Sequence, residues 1–128
     1  MQFLKTLGIV TLSILAPIQS LIVASFALIG VDFITGIMAA VKQKTPITSS
    51  EMKRTVGKIF LYELAIIISF VAEKYLLGGI MPVSKLVAGF IGATELKSVL
   101  ENIDILNGQS LFTSLVTKLA QAESNKLK

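Results

Sequence analysis

The stretch TLGIVTLSILAPIQSLIVASFALIGV, residues 6–31, contains no charged side chain. As an α-helix its 26 residues would be about 39 Å long, and about 20 apolar residues suffice to cross a bilayer. The apolar character continues well past Asp32, which makes the run too long for one straight span. Because proline suits the first turn of a helix but disrupts its interior, Pro17 is expected to divide the run into a first helix within residues 1–16 and a span over residues 17–41.

The composition of the whole chain also indicates a membrane protein. Of its 128 residues, 53% are hydrophobic and 16% are charged, against about 25% charged residues in soluble domains. So small a chain cannot bury that many apolar side chains, and the excess must face lipid or other subunits. The absence of Cys and His excludes zinc sites, haem ligation, Cys nucleophiles and His-based triads. We therefore expect no cofactor, no metal and no enzymatic activity.

The first helix is weakly amphipathic, with Phe3, Leu7 and Ile14 on one side and Lys5 and Ser13 on the other. A helix of this length is expected to lie in the membrane interface or to pack against a neighbour, and a span remains open. A secretory signal peptide is the alternative. The weakly positive start and the lack of a clean small-x-small cleavage site disfavour it.

A second helix follows the polar segment KQKTPITSSEMKR, residues 42–54. Thr48 and Glu51 have the spacing of a capping box, in which a hydroxyl and a carboxylate satisfy backbone donors at a helix start. The apolar run that follows predicts a span over residues 52–77. This span should stop at Gly78 and Gly79, because glycine readily adopts the left-handed conformation at a helix end.

A third span is predicted over residues 82–106, because Pro82 suits a helix start and Gly108 follows the last turn. Its second half is amphipathic, so this helix would need partners in order to enter lipid. Ser110 is expected to cap a last amphipathic helix over residues 110–127. We predict an all-α integral membrane protein: one helical domain with about three transmembrane helices and an amphipathic helix at each end.

The chain has a net charge of +4, and its basic residues flank the apolar runs, which favours contact with membrane lipid over binding of nucleic acid. Basic residues are enriched on the cytoplasmic side of membrane proteins. The first loop, its flanks and the tail hold eight of them: Lys42, Lys44, Lys53, Arg54, Lys58, Lys118, Lys126 and Lys128. The opposite side would hold Lys5, Lys74 and Lys85. This excess predicts that the first loop and the C-terminus are cytoplasmic.

Three acidic residues, Asp32, Glu63 and Glu95, each lie in a different predicted span. Ionisable groups inside spans are costly to bury, so they usually form pairs or line a cavity. These acids could pair with bases on neighbouring helices, line an aqueous path, or lie near water at the ends of the spans. The candidate bases are Arg54, Lys58, Lys85 and Lys97. In addition, Lys97 and Glu101 have the i,i+4 spacing of an ion pair.

Small residues four positions apart let helix backbones approach each other closely in lipid. The pairs in this sequence are Gly36 with Ala40, Ala88 with Gly92, and Gly89 with Ala93. We expect helix contacts at these positions, either within one chain or between chains.

Three segments resemble, in order and spacing, the toxin secretion/phage lysis holins, also called holin family 4. The first segment, residues 31–44, reads VDFITGIMAAVKQK and resembles the family's Asp-x-x-Thr-Gly signature. The second, residues 48–60, reads TSSEMKRTVGKIF and resembles a serine-containing loop before a basic helix. The third, residues 95–108, reads ELKSVLENIDILNG and resembles a Glu-x-x-Ser-x-x-Glu-Asn element. The resemblance covers about residues 25–110. The matching positions are Asp32, Thr35, Gly36, Glu95, Ser98, Glu101 and Asn102.

This resemblance implies a protein of the bacterial inner membrane that forms homo-oligomers and opens lesions at a set time. Endolysin, or another protein cargo, would then cross without needing direct contact with the holin. Two alternatives remain open: a structural or assembly subunit that does not permeabilise membranes, and a small ion channel or transporter. Residues 1–16 match none of the family's motifs, and the amphipathic tail after Gly108 differs from the short charged tail of many holins.

Overall fold

A computed structural model describes residues 1–126, and in this range the protein is all-helical without a strand. The helices are α1 (Gln2–Leu15), α2 (Gln19–Gln43), α3 (Ser49–Val71), α4 (Val83–Asn107) and α5 (Leu111–Lys126). The predicted fold class is thereby confirmed. Leu127, at the predicted end of the last helix, and Lys128 lie outside the described residues.

Two helical stretches, Gln2–Gln43 and Ser49–Leu76, are long and apolar enough to cross a membrane. Within residues 1–126, α4 does not meet the same criterion, so the third transmembrane span stays a prediction. The reason lies in its composition, because charged side chains occupy the second half of α4.

Helices α1 and α2 form one continuous helical stretch that passes through a 3-10 turn, Ala16–Ile18. Pro17 stands in this turn, where its missing N–H is least disruptive. Every side chain from Met1 to Ile14 is exposed, and Leu15 is the first to pack against the bundle. Within residues 1–126, the predicted packing of α1 against a neighbour is therefore not found for Met1–Ile14.

The helix ends follow local sequence signals. At the start of α3, the backbone N–H of Thr48 donates to the Glu51 carboxylate at 3.2 Å, which confirms the carboxylate half of the capping box. The α-helix ends at Val71 and continues as a π-helical turn, Ala72–Leu76, which the sequence did not predict. Gly78 and Gly79 then take positive φ values of 60° and 77°, as expected for the end of this helix.

Helices α2, α3 and α4 form a bundle in which each contacts the other two. Its apolar core is a cluster of four buried side chains: Ile18, Ile66, Phe70 and Ile91. The bundle brings together side chains that are far apart in sequence, and these form the site described next.

Candidate functional site: a charged cluster inside the bundle

Lys58 of α3 binds one carboxylate from each of the two other bundle helices. Its Nζ lies 3.0 Å from Asp32 Oδ2 on α2 and 3.0 Å from Glu95 Oε2 on α4. The side chains of Lys58, Asp32 and Glu95 are 24%, 13% and 0% exposed. We call these three residues the charged cluster. Of the four candidate bases, Lys58 is the one that pairs with these acids in residues 1–126.

Asn102 extends the charged cluster along α4. Its Nδ2 donates to Asp32 Oδ1 at 3.3 Å and to Thr35 Oγ1 at 3.1 Å. The Thr35 hydroxyl in turn donates to the Val31 carbonyl at 2.8 Å. A Cβ added at Gly36 would lie 3.6 Å from Asn102 Nδ2, so the small residue at this position lets the amide approach α2. Five positions that carry the resemblance thus meet at one place.

A cavity of about 240 Å³ lies between the charged cluster and the α2–α3 connection. Asp32, Lys58 and Asn102 line it from the cluster side, together with Ser98. Arg54 and other residues near the start of α3 line the opposite side. The cavity is polar and large enough for several water molecules, so water can reach the cluster from this end of the bundle.

The charged cluster has one base for two acids. With both carboxylates ionised its net charge is −1, and Glu95 Oε1 is buried without a hydrogen-bond partner among the described residues. Removing one member of such a pair is strongly destabilising, because it leaves uncompensated charge in a poorly solvated place. Lys58 therefore links α3 to both α2 and α4, and we expect the stability of the bundle to depend on it.

Glu63 pairs with no base among the described residues. Its Oε1 accepts a hydrogen bond from the hydroxyl of Ser25 on α2 at 2.7 Å. Its other oxygen, Oε2, is buried without a hydrogen-bond partner in the described part of the chain. Ser25 was not predicted from the sequence, because a lone serine in an apolar run gives no periodic signal. Glu63 and Ser25 form a second polar contact between α2 and α3.

Two further carboxylates satisfy backbone donors at helix starts. Glu73 Oε2 accepts hydrogen bonds from the Ser84 backbone N–H at 2.9 Å and from its hydroxyl at 2.6 Å. Asp104 accepts the backbone N–H groups of Phe112 at 3.0 Å and Thr113 at 2.8 Å. The start of α5 is thus held by Asp104, where the sequence predicted a cap by Ser110. The sequence did not identify either carboxylate, since both act across a turn.

The remaining predicted residues are the small residues expected at helix contacts and the pair Lys97 and Glu101. Gly92 packs α4 against α2, since a Cβ there would lie 3.6 Å from Leu28 Cδ1, and Ala88 packs against the apolar core. Ala40 is partly buried, whereas Gly89 and Ala93 lie on the exposed face of α4. Lys97 and Glu101 form an exposed i,i+4 ion pair at 3.6 Å, apart from the charged cluster.

Comparison with protein-family models gives a match that covers most of the chain. The model described as the Bacteriophage holin family matches residues 9–123. Comparison with curated proteins and with solved structures gave no significant match.

Proposed function

Since this chain belongs to the bacteriophage holin family, we propose that it oligomerises in the bacterial inner membrane and opens lesions through which an endolysin crosses. The family match and the two long apolar helices support a holin-type membrane protein. Lesion formation and passage of endolysin are our inference. In this proposal the protein is not an enzyme and binds no nucleic acid. Its partners are lipid and further copies of itself, and endolysin is a functional partner that needs no direct contact with it.

The charged cluster is the observation that carries this proposal. Lys58 holds Asp32 and Glu95 inside the bundle, while large apolar side chains such as Val23, Phe26 and Phe60 are exposed on the outside. This distribution suits a monomer surrounded by lipid, because Lys58 compensates charge inside the bundle and the apolar side chains face outward. When copies collect, the same groups can exchange partners between chains and line an aqueous opening.

The proposed topology has three spans, with α4 as the third. Glu95 of α4 is fully buried against α3, and Leu86 and Phe90 on the outer face of α4 are exposed apolar side chains. Packing against α2 and α3 would offset the weak apolarity of α4 in lipid. With three spans, the basic α2–α3 connection and the C-terminus lie in the cytoplasm, in accord with the distribution of positive charge.

The test is the release of a folded cytoplasmic reporter enzyme after this protein alone is induced in bacteria. We expect abrupt loss of membrane potential and escape of the active enzyme. Leakage of ions or dye without the enzyme would contradict protein-sized lesions and indicate a narrow channel. An intact membrane that contains the protein would contradict permeabilisation and indicate an assembly subunit.

A further inference from the structure

The turn between α3 and α4 is apolar and exposed, which is unusual for a connection between helices. Leu76 and Ile80 are 80% and 91% exposed, and Leu77 and Met81 are exposed as well. The connection at the other end of the bundle, between α2 and α3, is polar and basic instead. Exposing four large apolar side chains to water is unfavourable, and exposed apolar patches usually mark a site that contacts an apolar partner.

Several polar groups of this turn and of the residues that flank it are hydrogen-bonded to one another. The Gly79 N–H donates to the Glu73 carbonyl at 2.8 Å, and the Ile80 N–H donates to the Leu77 carbonyl at 3.2 Å. The Glu73 carboxylate accepts both donors of Ser84, which is 2% exposed. Such internal bonding lowers the cost of removing this turn from water.

Helix α1 projects from the same end of the bundle. Helices α2 and α3 are antiparallel, since Asp32 pairs with Lys58 and Ser25 pairs with Glu63. The start of α2, from which α1 extends, therefore lies near the end of α3. The turn and α1 thus lie at the same end of the bundle, and we call these two segments together the apolar end.

The hydroxyl groups of α1 do not need water as a hydrogen-bond acceptor. Thr6, Thr11 and Ser13 each donate to the backbone carbonyl four residues earlier, at 3.1, 2.8 and 2.8 Å. On the more polar side of this helix, Ile9 is also exposed. Beyond Lys5, the whole circumference of α1 is therefore compatible with lipid.

We propose that the apolar end is a lipid-binding surface that enters the interfacial layer of the bilayer instead of facing water. This inference rests on the membrane residence proposed above. Two exposed bases flank the turn, Lys74 before it and Lys85 after it, and long basic side chains at this depth reach the lipid phosphates. Lipid is favoured as the occupant because α1 forms the first part of the candidate span Gln2–Gln43 and the turn directly follows the candidate span Ser49–Leu76.

The test uses single tryptophan reporters, since the sequence contains no tryptophan. Ile80→Trp reports on the turn and Ile9→Trp on the more polar side of α1. The matched control is Ile47→Trp, because Ile47 is a 46% exposed isoleucine in the α2–α3 connection. Phe60→Trp, on the exposed apolar face of α3, is the reference for lipid contact. Each variant is reconstituted in phosphatidylglycerol-containing vesicles and quenched with brominated phospholipid or with aqueous iodide present on both sides of the membrane.

We expect the reporters at positions 80 and 9 to be quenched by brominated lipid about as strongly as the reporter at position 60. Iodide should quench them several-fold less than the control at position 47. Iodide quenching equal to that of the control at either position overturns the proposal. Protection from both quenchers would indicate coverage by another copy and overturns it too. Failure of brominated lipid to quench the position 60 reference would overturn the proposed membrane residence itself, and this inference with it.

Discussion

Lys58 is the residue on which the charged cluster most depends, because it is the single base between two acids. We expect Lys58→Met to lower the free energy of unfolding by about 3 kcal/mol. This value is the low end of the range for broken buried ion pairs, since the lysine side chain is 24% exposed. The measurement is unfolding in mixed micelles, followed by circular dichroism.

Lys97→Met is the matched control for this experiment. Lys97 is also on a bundle helix and also forms an ion pair, but its side chain is 66% exposed. Its loss should cost less than about 1 kcal/mol, because exposed ion pairs contribute little. Equal effects of the two substitutions would contradict a structural role for the charged cluster.

At the residue scale, the sequence shows which charged side chains lie inside apolar runs, but it does not show which of them form ion pairs. Asp32 and Glu95 are evident because a charge inside an apolar run is costly. Their shared partner is not evident, since four bases are candidates and the choice depends on how three helices align. Ser25 gives no signal at all, because serine is compatible with both lipid-facing and buried positions.

At the element scale, Asp104 holds the start of α5 by accepting hydrogen bonds from two of its backbone N–H groups. Asp104→Ala should free the start of α5, because the N–H groups of Phe112 and Thr113 lose their acceptor. We expect hydrogen exchange at these two amides to become about fivefold to tenfold faster, an effect of the size of a lost helix cap. The measurement is amide exchange in detergent micelles.

Ser110→Ala tests the cap that the sequence predicts at the same place. If the Asp104 carboxylate holds the helix start, Ser110→Ala should change exchange at Phe112 and Thr113 only slightly. A larger effect of Ser110→Ala than of Asp104→Ala would contradict the assignment of the cap to Asp104.

Two small residues of α4 differ in their surroundings: Gly92 lies close to Leu28 of α2, whereas Gly89 has no neighbour within 4 Å of a Cβ among the described residues. Gly92→Leu should destabilise the bundle by about 1–3 kcal/mol, because the added side chain meets Leu28 on α2. Gly89→Leu should leave the stability of the monomer unchanged, since nothing lies within 4 Å of a Cβ at that position. Unfolding of both variants under monomeric conditions provides the measurement, and a loss of stability with Gly89→Leu would contradict the assignment.

At the element scale, helix boundaries are predictable where the signal is local. The capping box at the start of α3 and the left-handed glycines after its π-helical turn each depend on residues close together in sequence. The predicted and observed helix ends therefore agree. The cap at Asp104 joins residues eight and nine positions apart across a turn, a spacing that no cap motif predicts. Amphipathicity likewise does not say whether a partner helix is present, and within residues 1–126 the side chains from Met1 to Ile14 remain exposed.

At the scale of the whole molecule, polarity changes along the bundle axis. One end is apolar, the charged cluster lies between the ends, and the polar cavity leads towards the basic α2–α3 connection. The core residues Ile18, Ile66, Phe70 and Ile91 separate the cluster from the apolar end. Within the described residues, the polar cavity gives water access from the α2–α3 end, which is why the proposed opening through the membrane involves several copies.

Whether α4 crosses the membrane decides whether α5 lies on the same side of the membrane as the α2–α3 connection. The sequence contains no cysteine, so Ile47→Cys and Ser114→Cys each provide a single thiol, one in the α2–α3 connection and one on α5. If α4 spans, both thiols are cytoplasmic. A membrane-impermeant maleimide added to spheroplasts before lysis should then label neither until detergent is added. Labelling of Ser114→Cys but not Ile47→Cys in intact spheroplasts would show that α4 does not cross, with a retained cytoplasmic enzyme as the control for membrane integrity.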